Sequence, residues 1–512
     1  MTQDERQRAL LGATIEPRVG ERLAQPVRLT VSGAPPPWRH QVAAIALADL
    51  LGRLFPGLQI VCDAAAVADA ALPPGGARFA DRLTEAAQHG GLDVPVDALT
   101  DPVVHIAVGD TPGADIYIDG SRWLSYLGDT PAPALPDDNT VPIGPLAAAC
   151  RGAAQVFQRV LDDFMPVRTR VSSSFWSALT YHAAGEDEIG PSLARVTLDA
   201  LLMGAGSIGG ASVYAFARAP ELAGWLAICD PQLLEARNAR KALLAQQAHI
   251  QAQRTKVDVA AEELAHITAL TVEGHIGTLA EWVAGRPADQ PLPPVLCAVD
   301  SVAARRELQD HLPLEVLNAA CGDLDVTVSG HVTDQGPCVY CLHIERVLDK
   351  AATRKAILAR ETRIPERTVA EHLTQSTPLD GSMLRAIAQN RGEPLDTLLP
   401  WIGRTLEDLF REHILYGEAR LRTDGGDNAV IAPFVTALAG VLLAGEALKL
   451  AGGPEVAEFR LGPAGTLPVK YEESLVHRPD GGMLTSVQRL PGDACLCRST
   501  RRLDLLRSRY AL

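Results

Sequence analysis

Gly204, Gly206 and Gly209 lie in the stretch LLMGAGSIGG (201–210) with G-x-G-x-x-G spacing. Between a strand and a helix, such a turn lets the backbone approach phosphate oxygens, and the helix N-terminus adds partial positive charge. The stretch GWLAICD that follows ends at Asp230, an acid placed to hydrogen-bond ribose hydroxyls. This much suits NAD and ATP alike. Glycines used only for tight strand–helix packing would look the same.

Residues further along separate the two ligands. Asn238, Arg240, Lys241 and Lys256 form a basic, polar run after Asp230. Hydride transfer has no need of it. A triphosphate does, because its charge must be neutralised before an anionic nucleophile can approach. Any one of these residues alone also reads as part of a solvated helix face. Asp300 closes the strand-like PPVLCAVD, at the carboxyl end of a parallel strand where ligands bind. It can hold Mg²⁺ on a triphosphate, and it can cap the helix that starts at SVAARRELQ.

Four cysteines form two pairs, Cys338 with Cys341 and Cys495 with Cys497. Two thiol pairs suit a tetrahedral structural Zn²⁺ that would tie the tail to the sheet; His331 and His343 are alternative ligands. The other five, Cys62, Cys150, Cys229, Cys297 and Cys321, read as core thiols, although Cys321 could approach a nucleotide.

The elements that must position these residues form two α/β units. Residues 1–190 alternate strand-like text (PVRLTVSG, LQIVCDA, VVHIAVG, ADIYIDG) with helical text (WRHQVAAIALADLLGRLF, GPLAAACRGAAQVFQRVLDDF). This predicts a layered sheet without a glycine turn. Residues 191–347 carry the glycine turn. Residues 348–428 are charged and read as a helical insertion; 429–475 return to the core, and 476–512 form the tail. The uncharged run Ala429–Gly445 is 17 residues long and is followed at once by Glu446 and Lys449. It reads as a buried helix rather than a membrane span.

The chain of 512 residues has 47% hydrophobic residues and a net charge of −15. That balance argues against nucleic-acid or anionic-membrane partners. The charged start MTQDERQRALLG has no apolar core for export. A cytoplasmic, reducing setting is expected, with the thiols free or on metal.

Together, GAGSIGG, CDPQLLEARNARK, Thr255–Lys256, AVDSVAAR, GPCVYC and the apolar helix IAPFVTALAGVLLAGEALKLAGG resemble the ThiF/MoeB/ubiquitin-activating superfamily. The resemblance covers about 196–345 and 429–470. It implies two tandem Rossmann-like domains, an inactive and an active adenylation domain, with a helical insertion and a zinc-tied tail. It implies ATP around Gly204, Gly206, Ser207 and Gly209, with Asp230 on the ribose and Lys256 on the phosphates. Asn238 and Arg240 would line the site, and Asp300 would be the Mg²⁺-linked catalytic acid. It also implies a structural Zn²⁺ at the cysteine pairs.

The sequence departs from the family pattern in three places. Asp230-Pro231-Gln232 replaces D-x-D, Arg240 and Lys241 follow Asn238 more closely than usual, and C-x-C replaces a second C-x-x-C. The opening DERQRALLG resembles the start of the inactive half of ubiquitin-activating enzymes, whose arginine reaches ATP in the active half; the matching residue is Arg6. No cysteine lies between Cys341 and Cys495, where those enzymes carry the acyl acceptor. Ser376 or Thr377 could accept the acyl group as an oxyester, or the acyl-adenylate could pass straight to a partner.

The expected partners are a ubiquitin-like protein, whose C-terminal carboxylate is activated, and a carrier (conjugating) enzyme; a homodimer is compatible. The Ala- and Leu-rich, lysine-poor composition fits a bacterial ubiquitination-like pathway. Three alternatives stay open: a sulfur-carrier adenylyltransferase, a nicotinamide-dependent oxidoreductase, and a catalytically dead scaffold.

Overall fold

The computed structural model describes residues 17–512 except 70–71, 73–75, 92–99, 165–172, 220, 288, 323, 343–354, 356–357, 360–361, 376, 392–394, 410–417, 424–425, 463–468, 476–480 and 488–494. Two sheets organise them. The first contains β1 (Val27–Val31), β2 (Leu58–Val61), β3 (Val104–Val108), β4 (Ile116–Ser121), β5 (Leu124–Gly128), β6 (Ser174–Ser177) and β7 (His182–Ala184). Its order is β2-β1-β3-β4-β5-β6-β7. Strands β1 to β4 run parallel and β5 to β7 add antiparallel neighbours. Helices α1 (Trp38–Gly52) and α2 (Ile143–Val160) cover it.

The second sheet begins with β8 (Val196–Met203), which runs through the glycine turn into helix α3 (Ser207–Phe216). Then follow β9 (Leu222–Cys229), helix α4 (Lys256–Leu264), β10 (Leu270–His275), β11 (Val295–Cys297), helix α5 (Val302–Asp310), β12 (Glu315–Gly322) and β13 (Asp325–Val332). Strands β14 (Glu418–Thr423) and β15 (Gly426–Ile431) pair only with each other. Strands β16 (Val469–Ser474) and β17 (Met483–Ser486) complete the second sheet, in the order β10-β9-β8-β11-β12-β13-β16-β17. From β10 to β12 the strands are parallel, so their carboxyl ends share one edge. Both sheets are α/β and Rossmann-like, as the alternation of strand and helix predicts.

Helix α6 (Pro433–Ala451) is the common core. Apart from Glu446 and Lys449 it is almost wholly apolar on every face, and a helix of that kind belongs inside protein. Every residue from Pro433 to Lys449 is buried. It packs on α2 from the first sheet and on α3, β8, β12 and β13 from the second. Phe434 meets Phe157 at 5.5 Å between ring centroids. Gly440 lets α3 come close: a Cβ there would sit 2.2 Å from the Ile208 carbonyl oxygen, and the Ser212 hydroxyl donates to the Gly440 carbonyl at 2.9 Å.

The two charges of α6 are paired inside the protein. Glu446 Oε1 accepts from Lys449 Nζ (2.7 Å) and from the Tyr181 hydroxyl (2.8 Å), and its Oε2 accepts from the Leu461 amide (2.7 Å).

The insertion differs from its expectation at one end. Helices Glu366–Gln375 and Gly381–Arg391 pack around a small core that includes Val369, Leu384, Ile387 and Leu409. Residues 418–423 and 426–431, however, pair as antiparallel strands. The first strand, EARLRT, alternates apolar and charged residues, a period of two rather than 3.6.

Candidate functional site

The glycine turn has little steric slack. Gly204 adopts φ +93°, and a Cβ on it would lie 3.1 Å from the Ala298 carbonyl oxygen at the end of the β11 run. A Cβ on Gly209 would lie 1.9 Å from the Gly204 carbonyl oxygen. Gly206 is different, with nothing within 4 Å of its would-be Cβ. It is the N-cap of α3 and offers no side chain to the first helical amides. The turn is therefore closed beneath and open above, which leaves backbone donors for an anion. Ser207 opens the helix at the same edge.

Asp230 follows β9 and is buried. Oδ2 accepts from the Ala205 amide, inside the turn, and Oδ1 from the Gln232 amide, both at 2.9 Å. A carboxylate has about four acceptor sites, so two bonds that shape the turn still leave capacity for hydroxyl donors. Lys256 begins α4, whose cap is Thr255, its hydroxyl accepting from the Asp258 amide at 3.0 Å. Lys256 is buried. Its amide donates to the Gln232 carbonyl (3.1 Å), and its Nζ donates to Gln232 Oε1. Asp230, Gln232 and Lys256 thus form one connected group under the turn. Gln232 stands at the second position of the altered D-x-D, so its neutral carboxamide meets a lysine where a carboxylate would have neutralised it.

Asn238 opens a short 3₁₀ turn, and its Oδ1 accepts from the Glu235 amide at 2.8 Å. It thereby folds the loop that carries Arg240 and Lys241. Burial pulls Arg240 down to about 10, so it carries its charge at neutral pH. The Lys241 carbonyl accepts from the Thr436 hydroxyl of α6 at 2.9 Å.

Asp300 lies in the exposed loop after β11 and is not the cap of α5. That role belongs to Ser301, whose hydroxyl accepts from the Ala304 amide at 3.0 Å. Arg305 ties this loop to β12 by donating to the Val299 (2.6 Å) and Ala319 (3.3 Å) carbonyls. At the end of β12, burial pushes the Cys321 thiol up to about 11, while the Lys241 and Arg305 charges oppose the shift and Asp300 adds to it. Lys241 and Asp300 therefore act on the same spot. The glycine turn follows β8, Asp230 follows β9 and Asp300 follows β11, so all three stand at the carboxyl ends of adjacent parallel strands.

The two cysteine pairs come together. All four Sγ atoms lie within 4.8 Å of one another and are buried. Cys341 and Cys497 each lie 3.1 Å from Cys495, and Cys338–Cys495 and Cys341–Cys497 are 3.5 Å apart. Tetrahedral zinc, with Zn–S bonds of about 2.3 Å, asks for sulfur separations of about 3.8 Å, so the group fits such an ion. Sulfur hydrogen bonds, those with Cys341 foremost, push Cys338 above the ordinary thiol range. Those with Cys338 foremost hold Cys495 and Cys497 below it. His331 is committed elsewhere, with Nε2 3.0 Å from the Ser329 hydroxyl and Nδ1 3.0 Å from the Pro337 carbonyl oxygen. His343 lies outside the described residues.

The model of the ThiF family matches residues 193–467, more than half of the chain. The chain belongs to the ThiF family. Membership supports an adenylyltransferase-like function and makes ATP a fitting ligand for the turn. Uncharacterized protein y4jF of Sinorhizobium fredii (strain NBRC 101917 / NGR234) is 29% identical over 344 residues, which are 66% of this ThiF chain and 65% of that protein. A structure of E. coli MccB with MccA is 12% identical with a TM-score of 0.35, over 58% of this chain and 65% of that one. E. coli MccB with ATP gives 11%, 0.34, 57% and 64%. The ThiF chain thus spans less than two thirds of the length of these three relatives. Structural similarity of that degree assigns it no ligand or substrate.

Arg6 and Ser376 lie outside the described residues of the ThiF chain. Thr377 follows the helix Glu366–Gln375. Its amide donates to the His372 carbonyl (3.2 Å) and its hydroxyl to Gln375 Oε1 (3.5 Å). His372 Nδ1 faces the Thr377 carbonyl oxygen rather than its hydroxyl, so no base activates that hydroxyl among the described residues. Sequence reasoning missed Gln232, Arg305 and Thr436. Only Gln232 had a signal, its place in the D-x-D pattern.

Proposed function

We propose that this chain is a ubiquitin-like protein activating enzyme: it adenylates the C-terminal carboxylate of a ubiquitin-like protein for a bacterial conjugation pathway. The observation that carries the reading is the ammonium of Lys256, a buried residue, bonded to a neutral carboxamide beside an open glycine turn. A buried cation with a neutral partner favours an incoming anion. In the reaction, a carboxylate oxygen attacks the α-phosphorus of ATP. The P–O bond to the β-phosphate breaks, and pyrophosphate leaves with the electron pair. The acyl-adenylate remains.

The obstacle is an anion approaching an anion. Lys256, Arg240 and Lys241 would reduce it by neutralising phosphate charge, and Arg6, outside the described residues, is the further cation that the family resemblance implies. Gly204, Gly206, Ser207 and Gly209 admit the phosphates, Asp230 takes the ribose, and Asn238 holds the loop. Asp300 would hold Mg²⁺, which supplies further charge to the phosphates when bound. Residues 1–190 serve as the inactive lobe, 191–347 with 429–475 as the active one, 348–428 as the insertion, and 476–512 as the tail that supplies half of a Zn²⁺ site. With no base on the Thr377 hydroxyl among the described residues, we favour transfer of the acyl group from the adenylate to a partner carrier enzyme.

The test is ATP–pyrophosphate exchange with Mg²⁺ and a ubiquitin-like protein. Exchange that requires the protein's free carboxylate supports the reading. Lys256→Ala and Asp300→Asn are each expected to lower it by about 10²-fold or more. Exchange unaltered in both variants refutes the site. A rise in NADH fluorescence on mixing, without exchange, would replace the reading with an oxidoreductase.

A further inference from the structure

Helix α1 of the first sheet ends at Asp49 to Arg53, and Arg53 reaches into the other half of the molecule. Its side chain is fully enclosed. Nη1 donates to the carbonyl oxygens of Ala239 and, at 3.1 Å, Ala245. Nη2 donates to that of Leu243 at 3.1 Å. Nε is held by Asp49 Oδ1, one helical turn earlier. Asp49 is buried too, and its Oδ2 lies 2.7 Å from His89 Nδ1. Burial works against the Asp49 carboxylate, yet the Arg53 charge and the His89 hydrogen bond hold its pKa below the ordinary value. The guanidinium is thus braced from behind and gathers three carbonyls in front.

Those carbonyls bracket Arg240 and Lys241, the two cations of the basic run. From the other side Thr436 takes the Lys241 carbonyl. Residues 239, 241, 243 and 245 are all tied in this way. Residues 239–245 have only isolated turn bonds of their own, from the Lys241 and Ala242 amides to the Asn238 carbonyl and from the Ala245 amide to that of Ala242, and the regular element there ends at Arg240. A planar guanidinium offers five donors in a fixed fork and so reaches Asp49 and three carbonyls together, whereas an ammonium has three donors on one atom and cannot meet all four. A contact serving only to dock two lobes would not need three carbonyls from one loop.

We infer that Arg53 is a positioning residue: through one guanidinium, the first lobe sets the backbone conformation that presents Arg240 and Lys241 to a nucleotide's phosphates. The inference rests on the ATP reading of the site. It gives residues 1–190 a task of their own in the reaction, separate from any contact made by Arg6. Arg53 acts through the loop and touches no reacting atom.

The test uses the full chain with Arg53→Lys, which keeps a charge opposite Asp49 but loses the fork. MgATP and adenosine are titrated separately by calorimetry, and amide hydrogen exchange is followed over 238–245. The expected result is MgATP binding weakened about 10-fold or more, the scale of one lost charge-assisted contact. Adenosine binding should stay within about 2-fold, because Asp230 and the turn are untouched. Exchange should quicken at 238–245 and not in β8 or β9. Thr436→Val, which releases the loop from the opposite side, should show the same selectivity and decides the matter if Arg53→Lys does not fold.

Equal weakening of both ligands would make Arg53 a purely structural residue and overturn the inference. So would wild-type behaviour of Arg53→Lys in both titrations. If the wild-type protein binds no MgATP, the ATP reading itself falls and takes the inference with it, an outcome told apart by its appearing before any substitution is made.

Discussion

Gly206 and Gly209 sit three residues apart, yet alanine should act on them in opposite ways. At Gly209 the new Cβ would stand 1.9 Å from the Gly204 carbonyl oxygen, where real Cβ contacts essentially never fall below 3.0 Å. More than 1 Å of backbone movement is needed. Strand β8 cannot supply it, being pinned between β9 and β11. Helix α3 cannot supply it either, because its Ile208 carbonyl already lies against Gly440 of α6. The strain should cost about 1–3 kcal/mol of stability. Displacing the turn by about 1 Å should cost about 10²-fold in adenylation rate. At Gly206 nothing lies within 4 Å, so Gly206→Ala should change stability by no more than about 0.5 kcal/mol. Its methyl group enters the space open to a ligand, and MgATP binding should weaken while the fold does not. Urea unfolding midpoints and MgATP titration on both variants measure the contrast. Normal stability and normal exchange in Gly209→Ala would refute the close-approach argument. Unchanged MgATP binding in Gly206→Ala would mean that the ligand does not come near the turn.

Glu446→Ala should cost about 3–5 kcal/mol, because it strands the Lys449 charge in the core; Glu446→Gln with Lys449→Met should cost much less, and denaturant melts of the set check this. One zinc per chain is expected by native mass spectrometry; stripping it with a chelator, or Cys495→Ser, should speed hydrogen exchange at 495–510, and unchanged exchange would argue against a structural metal. Asp49 and Asp119 have folded-state pKa values below the ordinary 3.8: burial opposes their charge, and Arg53 with His89, and His40 with Arg39, outweigh it. Their contribution to stability is therefore complete above pH 3.8 and lost as pH falls below it. Asp119→Asn should lower stability at neutral pH and flatten that acid limb in pH-dependent melts.

Much of the second sheet was legible in the sequence. Strands β8, β9, β11 and β12 are apolar runs, three of them closed by Gly204, Asp230 and Asp300, and such punctuation survives without any knowledge of contacts. The cysteine pairs were legible for a chemical reason: thiols at short spacing are rare, and they meet across more than 150 residues. The antiparallel strands β5 to β7 were not. Each has three to five residues and too few positions for a period to appear. The cap of α5 was assigned one residue early, because Asp300 and Ser301 are both good caps and only geometry chooses between them. Gln232 showed as a departure from a pattern, but its bond to Lys256 did not. Arg53 gave no signal at all, since its partners lie 186 to 192 residues away and are backbone oxygens, which have no residue identity to read.

Helix α6 also has a consequence for how the molecule is made. It fills the space between α2 and α3, so the first sheet's helical face is not finished until residue 451 has been synthesised. Roughly 270 residues separate that point from the end of β7, on the order of 10–50 s of synthesis. For that interval the nascent first lobe shows an apolar face, with Phe157 in it, to whatever else is in the cell. The order of elements along the chain thus makes the first lobe wait for the last core helix, and a holding chaperone is the natural companion of that wait.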